Sequence, residues 1–247
     1  VEPHEEFSVA RFQSAADKAF DDIVGRGAHG LLVGGTGLYH QAVIDDLALP
    51  GRFPQVLATL EAEAVDEDCP RSMHGPLASL DPVAAERMEP TNRRRVLRAL
   101  EVTLGAGRPF SSFGPGLDAH PPTPFVQVGL RLERAVTAGR IAERFDAMID
   151  AGLLDEVRAL VELPGGLSRT ASQALGYREL AEHLSGERTL TDAVSAAVQR
   201  TQQLAVRQER WFRRDPRLVW VDAEADAATV ADRVQAAWAT AGAWEPT

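Results

Sequence analysis

A short glycine-rich stretch, Gly34-Gly35-Thr36-Gly37, has the residue types in this sequence that most suggest chemistry. Glycines that follow a strand and open a helix leave backbone N–H groups free at the positive end of the helix dipole, where a phosphate can bind. The missing β-carbons let an anion approach the main chain, and Thr36 adds a hydroxyl. The residues alone leave a second interpretation open, a tight turn without a ligand, because short glycine-rich turns are common.

The neighbouring residues predict the elements that position this stretch. Residues 31–33 form a continuous apolar run, typical of a strand that is covered on both faces, and an apolar helical pattern starts at Leu38. Upstream, residues 7–27 predict a helix that Ser8 can cap. Helix, buried strand, glycine turn and helix in succession indicate an α/β layer with a parallel sheet.

The rest of the chain predicts a helical insertion followed by a return to the core. From about 52 to 112 no strand pattern is present, and 109–124 is rich in Pro, Gly and Ser, which is typical of a linker. We predict helices over 56–64, 82–88, 93–104, 136–161, 171–185, 189–213 and 230–239, and strands over 125–130 and 218–221. The predicted domains are an α/β core of 1–50 and 120–247 and an insertion with its return linker over 51–119.

Composition limits the classes of protein that this chain can belong to. A net charge of −10 over 247 residues argues against a general nucleic-acid binder. The single cysteine, Cys69, excludes an internal disulfide and fits a reducing cytoplasm. The six histidines show no metal-ligand spacing, and no apolar run approaches the ~20 residues of a membrane helix. We therefore expect a cytoplasmic protein with no membrane association and no metal site of its own.

Two arginine groups stand out against this acidic background. Arg94, Arg95 and Arg98 open the last helix of the insertion and are predicted to face largely outward. Further along, Arg200, Arg207, Arg210 and Arg214 fall on one face of the helix over 189–213, as does Gln203. Such rows suit a phosphate backbone, since arginine binds phosphate through two hydrogen bonds. A solvated face whose arginines pair with acids is the alternative, and the two groups together favour nucleic acid weakly.

Arg140 and Arg144 form a third pair of basic residues, four positions apart on the helix over 136–161. Like charges at this spacing repel each other unless an anion lies between or near them. A diphosphate would satisfy them, but the residues alone favour ion pairs with Glu143 and Asp146.

Seven motifs taken in order resemble one protein family, the bacterial tRNA dimethylallyltransferases. The likeness runs from about residue 3 to 222, and seven motifs in register make it a strong match. The motifs are Glu5-Glu6-Phe7-Ser8-Val9-Ala10-Arg11-Phe12, Leu32-Val33-Gly34-Gly35-Thr36-Gly37-Leu38-Tyr39, Asp81-Pro82-Val83-Ala84-Ala85, Arg95-Val96-Leu97-Arg98-Ala99-Leu100-Glu101, Arg140-Ile141-Ala142-Glu143-Arg144-Phe145, Gln173-Ala174-Leu175-Gly176-Tyr177-Arg178-Glu179 and Arg207-Gln208-Glu209-Arg210-Trp211-Phe212-Arg213.

The resemblance implies both a fold and a reaction. The fold is a P-loop-NTPase-like parallel sheet flanked by helices, with an all-helical insertion that grips the anticodon stem-loop of tRNA. The reaction moves a dimethylallyl group from dimethylallyl diphosphate, accompanied by Mg²⁺, to N6 of the adenosine 3′ to the anticodon. The target base would leave the loop stack and enter a channel. The resemblance also suggests a monomer with no obligate protein partner.

The resemblance further implies roles for individual residues. Arg144 would stabilise charge on the departing diphosphate, and Thr36 would contact RNA near the channel. Arg94, Arg95 and Arg98 would hold the RNA backbone. The remaining candidates for binding substrate or tRNA are Gly34, Gly35, Tyr39, Ser172, Gln173, Arg178, Thr201, Gln202, Arg207 and Gln208.

The sequence departs from the family's pattern in several places. The family starts with a Gly-rich P-loop ending in Gly-Lys-Ser/Thr and continues with an Asp-Ser motif whose aspartate is the expected general base. Neither motif occurs in this sequence, which begins with Val1 rather than Met. We therefore expect that an N-terminal piece carrying the first strands of the sheet is missing and that these residues alone are inactive. Leu57, Gln202 and Val206, where the family often has basic residues, put RNA affinity in doubt.

Two alternative functions come from other classes. The chain could be a non-catalytic remnant that only binds RNA. It could also be a small-molecule kinase built on the same P-loop core, although such an enzyme has no need for an arginine-lined insertion. Transfer that depends on tRNA, without turnover of small hydroxyl acceptors, would distinguish the prenyltransferase from both.

Overall fold

The computed structural model of the chain describes residues 1–64, 69–164 and 166–242. Its contacts divide the chain into two compact units, Val1–Ile44 with Pro122–Thr247, and Asp45–Pro121. None of the described helices is long and apolar enough to cross a bilayer. The helices are α1 (Val9–Gly25), α2 (Gly37–Ile44), α3 (Pro54–Glu63), α4 (Cys69–Leu80), α5 (Pro82–Glu86), α6 (Arg93–Ala106), α7 (Arg134–Asp150), α8 (Leu153–Val161), α9 (Tyr177–Leu184), α10 (Leu190–Phe212) and α11 (Ala227–Thr240), and the strands are β1 (Val128–Arg131) and β2 (Val219–Asp222).

The first unit combines helices with a small parallel sheet, so the predicted α/β class is confirmed. β1 and β2 pair in parallel, with Val128 opposite Val219, and the connection between them carries α7 to α10. The buried centre of these helices is formed by Ile141 and Phe145 of α7 against Ala197 of α10. The sheet and this helical core together position α7 and α10, which carry Arg140, Arg144, Arg200, Arg207 and Arg210.

The predicted strand over 31–33 is wrong. These residues are not in a strand, and the side chains of Leu31 and Val33 are 64% and 80% exposed rather than covered. A strand forms only beside a hydrogen-bonding neighbour. In the described part of the chain, β1 and β2 pair with each other and neither pairs with residues 31–33. The apolar run therefore stays extended between α1 and α2.

Most predicted helices are present, with shifted ends. Ser8 caps α1 as expected, by accepting a hydrogen bond from the Arg11 backbone at 3.3 Å. The single helix predicted over 136–161 is two helices, α7 and α8, which meet at Ala151-Gly152. The strand predicted over 125–130 starts only at Val128, and α4 was not predicted. The α4 sequence contains Gly75 and an internal Pro76, which mask the helical pattern.

The second unit has its own core, in which α3, α4 and α5 pack against α6. Leu77, Val96 and Leu100 are almost completely buried there. Asp81, 1% exposed, joins the start of α5 to the turn over 110–113. Its carboxylate accepts hydrogen bonds from the Ala84 backbone at 3.0 Å and from both the backbone and the hydroxyl of Ser111 at 2.7 Å. A buried carboxylate with three donors is fully satisfied, so it fixes the chain that leaves the unit.

Candidate active site and RNA-binding residues

The glycine turn packs directly against the second half of α10. A β-carbon at Gly35 would lie 2.5 Å from Nε2 of Gln208, and one at Gly37 would overlap the indole ring of Trp211. The Gln208 side chain could move aside, but the Trp211 ring leaves no room for a β-carbon at Gly37. Two of the predicted site motifs, 34–37 and 207–213, thus come together in space, and Thr36 is exposed at their junction.

Aromatic contacts hold the helix that follows this turn. The ring of Tyr39 lies 4.8 Å from that of Phe12, centroid to centroid, and its hydroxyl is 3.5 Å from the Phe7 carbonyl. On the next residue, the His40 ring stands edge-on to Phe212 of α10 at 5.6 Å. Burial lowers the pKa of His40 below its ordinary value, against the opposing effect of a hydrogen bond with the Gly34 backbone. Tyr39 therefore supports the turn through packing on α1.

Arg140 and Arg144 are exposed on α7 and carry uncompensated charge. Neither guanidinium has an ion pair or hydrogen bond within the described residues, and the ion pairs expected with Glu143 and Asp146 are not formed. Buried Ile141 and Phe145 turn both arginines towards solvent, where an ion pair between exposed side chains gains little free energy. Two neighbouring cations without ion pairs on one helix face suit an anionic ligand.

The arginines of α10 and of the turn after it separate into those with a partner and those without one. Arg200 forms an ion pair with Glu179, a carboxylate that is 2% exposed, and Arg214 lies over the ring of Trp211 at 4.6 Å. By contrast, Arg207 and Arg210 are exposed and have no ion pair among the described residues. Of the arginine row for which the sequence suggests phosphate binding, these two side chains are therefore available to a ligand.

Two further candidates on α10 differ from each other in exposure. The Thr201 hydroxyl is buried and donates a hydrogen bond to the carbonyl of Ala197 at 2.8 Å. Gln202 beside it is partly exposed and is free of such a bond within the described chain. The Thr201 side chain therefore lies on the buried side of α10 and bonds to the backbone of its own helix.

Ser172 and Gln173 lie on a short 3₁₀ turn just before α9. The Ser172 hydroxyl donates to the Arg169 carbonyl at 3.0 Å, and Gln173 is exposed. The turn ends at Gly176, whose φ of +93° favours glycine and whose backbone N–H donates to Glu179 at 3.0 Å. Because Glu179 also pairs with Arg200, one buried carboxylate ties this turn to α10. Sequence reasoning gave Glu179 no role of its own, since its signal, an N3 acid after a glycine, is common.

The side chains that follow on α9 hold the fold. Arg178 pairs with Glu182 one turn later, and the Tyr177 hydroxyl bonds to Glu156 of α8. This hydrogen bond, with burial and the negative charge of Glu156, raises the pKa of Tyr177 to about 12. Arg178, predicted as a tRNA ligand, thus has its charge balanced within its own helix.

In the second unit, the arginines of α6 also differ among themselves. Arg94 and Arg95 are exposed without ion pairs in the part of the chain that the structure describes. Arg98 is instead partly buried, and its guanidinium bonds to Glu101 at 2.8 Å and to the Pro50 carbonyl at 2.9 Å. The outward orientation predicted for Arg98 is wrong, because a buried acid three residues later draws it inward.

A cavity of about 410 Å³ lies beside the start of α6. It is lined by His74, Ala85, Glu86, Arg87, Met88, Glu89, Pro90, Asn92 and Arg95. Its lining carries as many glutamates as arginines, so it does not favour an anion. Among the described residues, no three His, Cys, Asp or Glu side chains are grouped to hold a metal ion.

Comparison with known proteins gives the relationship directly. The profile of a family described as IPP transferase matches residues 1–215. The chain belongs to the IPP transferase family. This confirms the family that the seven motifs indicated.

Individual members of the family support the same relationship. A tRNA dimethylallyltransferase of Desulforudis audaxviator is 44% identical over 225 residues, which are 91% of this chain and 72% of that protein. The crystal structure of the full-length tRNA isopentenylpyrophosphate transferase of Bacillus halodurans is 32% identical with a TM-score of 0.64, over 98% of this chain and 76% of that one. A eukaryotic dimethylallyltransferase acting on tRNA, 23% identical, shares the fold with a TM-score of 0.74 over 100% of this chain and 65% of its own.

Proposed function

We propose that this protein transfers a dimethylallyl group from dimethylallyl diphosphate to N6 of adenosine 37, the adenosine 3′ to the anticodon of tRNA. The observation that carries the proposal is the family match over residues 1–215, whose curated relatives are named tRNA dimethylallyltransferases. The unpaired arginines on α7 and α10 support it, since both substrates are phosphate-bearing anions.

The reaction requires charge stabilisation on the leaving group. The N6 nitrogen forms a bond to C1 of the dimethylallyl group while the C1–O bond breaks, and diphosphate leaves with the bonding electrons. Arg144, with Arg140 one turn before it, supplies an exposed and uncompensated positive charge for this purpose. Arg144 is the residue to which we assign the catalytic role.

A base must take the proton that N6 loses. The family's general base is an aspartate in an Asp-Ser motif, and its diphosphate loop ends in Gly-Lys-Ser/Thr, and neither motif occurs in these 247 residues. We propose that Mg²⁺ arrives with the diphosphate, as Mg²⁺ often binds mainly to phosphate oxygens and water. Among the described residues no three His, Cys, Asp or Glu side chains are grouped to hold the ion, so the diphosphate and water would supply its ligands.

The RNA side of the proposal uses the surfaces on which the unpaired residues lie. We propose that the anticodon stem-loop contacts Thr36 and Gln208 at the glycine turn, Arg207 on α10 and Gln173 before α9. In the second unit, Arg94 and Arg95 contact RNA phosphates. We place the reaction in the cytoplasm, with a monomeric enzyme and without a membrane or an obligate protein partner.

The proposal is tested by transfer of labelled dimethylallyl from its diphosphate to an anticodon stem-loop, catalysed by the full-length protein of the reading frame. We expect label on the stem-loop with adenosine at position 37 and none on a stem-loop with guanosine there. Binding of both RNAs without transfer would favour the non-catalytic RNA-binding protein. Transfer to small hydroxyl acceptors without RNA would favour the kinase-like alternative.

A further inference from the structure

The segment of residues 50–53, which leads into α3, is clamped onto the side of α6. Nη2 of Arg98 donates hydrogen bonds to the carbonyl oxygens of Pro50 at 2.9 Å and Gly51 at 3.1 Å. Its Nη1 donates to Glu101 at 2.8 Å. The guanidinium of Arg98 is therefore committed to the fold on both of its terminal nitrogens.

Glu101 closes the clamp from the other side. Its carboxylate, 3% exposed, accepts a hydrogen bond from the backbone N–H of Phe53 at 2.7 Å. The Phe53 ring lies so close to Gly105 that a β-carbon at that position would overlap it. Arg98 and Glu101 thus bind the peptide groups before and after residue 52, and both charges of the buried pair are satisfied.

Arg52 is held between these clamped peptide groups while its own side chain stays free. It is exposed, and in the described ranges it has neither an ion pair nor a hydrogen bond. Arg94 and Arg95, equally exposed and unpaired, precede Arg98 by four and three residues and so neighbour it on the helix surface. The charge of Arg98 is balanced by Glu101, whereas the other three guanidinium groups form no ion pair within the described residues.

We propose that Arg52, like Arg94 and Arg95, binds a phosphate of the RNA substrate, and that Arg98 and Glu101 are positioning residues for it. The inference rests on the proposed function, which supplies the RNA. An anion is the ligand that an exposed guanidinium without an ion pair favours, and arginine binds phosphate through two parallel hydrogen bonds. Because the backbone around Arg52 is already fixed, binding orders only one side chain, which lowers the entropic cost.

The test measures how the affinity of the full-length protein for an anticodon stem-loop depends on salt. Each phosphate contact contributes about 0.7 to 0.9 to the slope of log K against log salt. We expect Arg52→Gln to reduce the slope by that amount, so that the ratio of wild-type to variant affinity falls about threefold between ~50 and ~200 mM salt. An unchanged slope would overturn the proposal.

Matched variants separate a phosphate contact from a general charge effect. Arg108→Gln removes the same charge at the other end of α6, where the guanidinium lies 3.8 Å from the centre of the Phe113 ring, and should leave the slope unchanged. Arg52→Lys should restore most of the slope, since the charge is kept. If Arg108→Gln lowered the slope of log K against log salt as much as Arg52→Gln does, the proposed site would be contradicted.

A double-mutant cycle tests the positioning role. Glu101→Gln keeps an acceptor for the Phe53 N–H but removes the ion pair with Arg98, so the loss caused by Arg52→Gln should shrink in its background. Additive effects would reject positioning by Glu101, and thermal melts check that this variant folds. Transfer by the wild type is measured in parallel. Wild-type transfer with an unchanged Arg52→Gln slope would reject only this inference, and absent transfer would reject the proposed function.

Discussion

At the scale of single residues, ion pairing separates arginines that hold the fold from those available to a ligand. Arg98 and Arg200 bond to carboxylates that are 3% and 2% exposed, and such pairs are costly to break. Arg144 and Arg207 are equally basic but have no such partner among the described residues. The sequence shows all four as similar members of basic clusters, because the burial of the two partner acids follows from tertiary packing.

Arg144→Ala should lower the rate of the chemical step far more than it lowers RNA affinity. Removal of one preorganised cation from a developing diphosphate costs about 10²–10³ in rate. The exposed side chain has no structural bond to lose, so stem-loop binding should change less than about twofold. Single-turnover transfer at saturating diphosphate and a binding titration measure the two quantities separately in the full-length protein.

Arg158→Ala is the control for this prediction. Arg158 is exposed on α8 and pairs with Asp155 in the same helix, so its loss should leave both quantities unchanged. Equal losses of rate and affinity in Arg144→Ala would show that the residue serves RNA binding instead of leaving-group stabilisation.

Asp215 links stability to pH in a defined direction. Burial alone would raise the pKa of Asp215, but hydrogen bonds from Arg217 and Gln127 outweigh it and lower the pKa to about 2. The folded pKa lies below the unfolded value of about 3.9, so the carboxylate stabilises the fold at neutral pH. This stabilisation is lost as the pH falls from about 4 through 2.

We expect Asp215→Asn to lower the free energy of unfolding by about 2 kcal/mol at neutral pH. Urea unfolding should show that the difference in the free energy of unfolding between wild type and variant is smaller at about pH 3 than at about pH 5. Asp232 on α11 is an exposed carboxylate without an ion pair in the described residues. Asp232→Asn should therefore leave the free energy of unfolding close to that of the wild type at either pH. A difference for Asp215→Asn that is the same at both pH values would contradict the assigned cause.

At the scale of elements, the contact between the glycine turn and α10 is the feature that joins two distant sequence motifs. Both motifs, and most helices, could be predicted from local patterns such as the Ser8 cap and apolar periodicity. The contact itself could not, because nothing in Gly37 or Trp211 alone specifies that they meet. The strand expected over 31–33 failed for a related reason, since strand formation depends on a neighbour rather than on the apolar run.

Gly37→Ala should destabilise the protein and weaken stem-loop binding, because the added methyl group overlaps the Trp211 ring and displaces α10 from the turn. Overpacking of this kind costs about 1–3 kcal/mol. Gly139→Ala on α7 is the matched control, since a β-carbon there meets nothing within 4 Å. That change should raise stability by up to about 1 kcal/mol. Melting curves that rank the two variants in the opposite order would refute the close contact.

At the scale of the whole molecule, a chain with a net charge of −10 presents free arginines in both of its compact units. α7 and α10 carry them in the first unit, and α6 with residue 52 carries them in the second. An acidic protein binds an anionic substrate only where cations are concentrated and uncompensated. This arrangement fits an enzyme with two phosphate-bearing substrates, and it agrees with the family to which the chain belongs.

The most direct test of this account is nucleoside analysis of tRNA from a bacterial strain that lacks its own tRNA dimethylallyltransferase and expresses the full-length protein. The account predicts that N6-dimethylallyladenosine returns at position 37, and that the Arg144→Ala protein at equal abundance restores much less of it. Unmodified adenosine 37 in the presence of folded, full-length wild-type protein would contradict the proposed function.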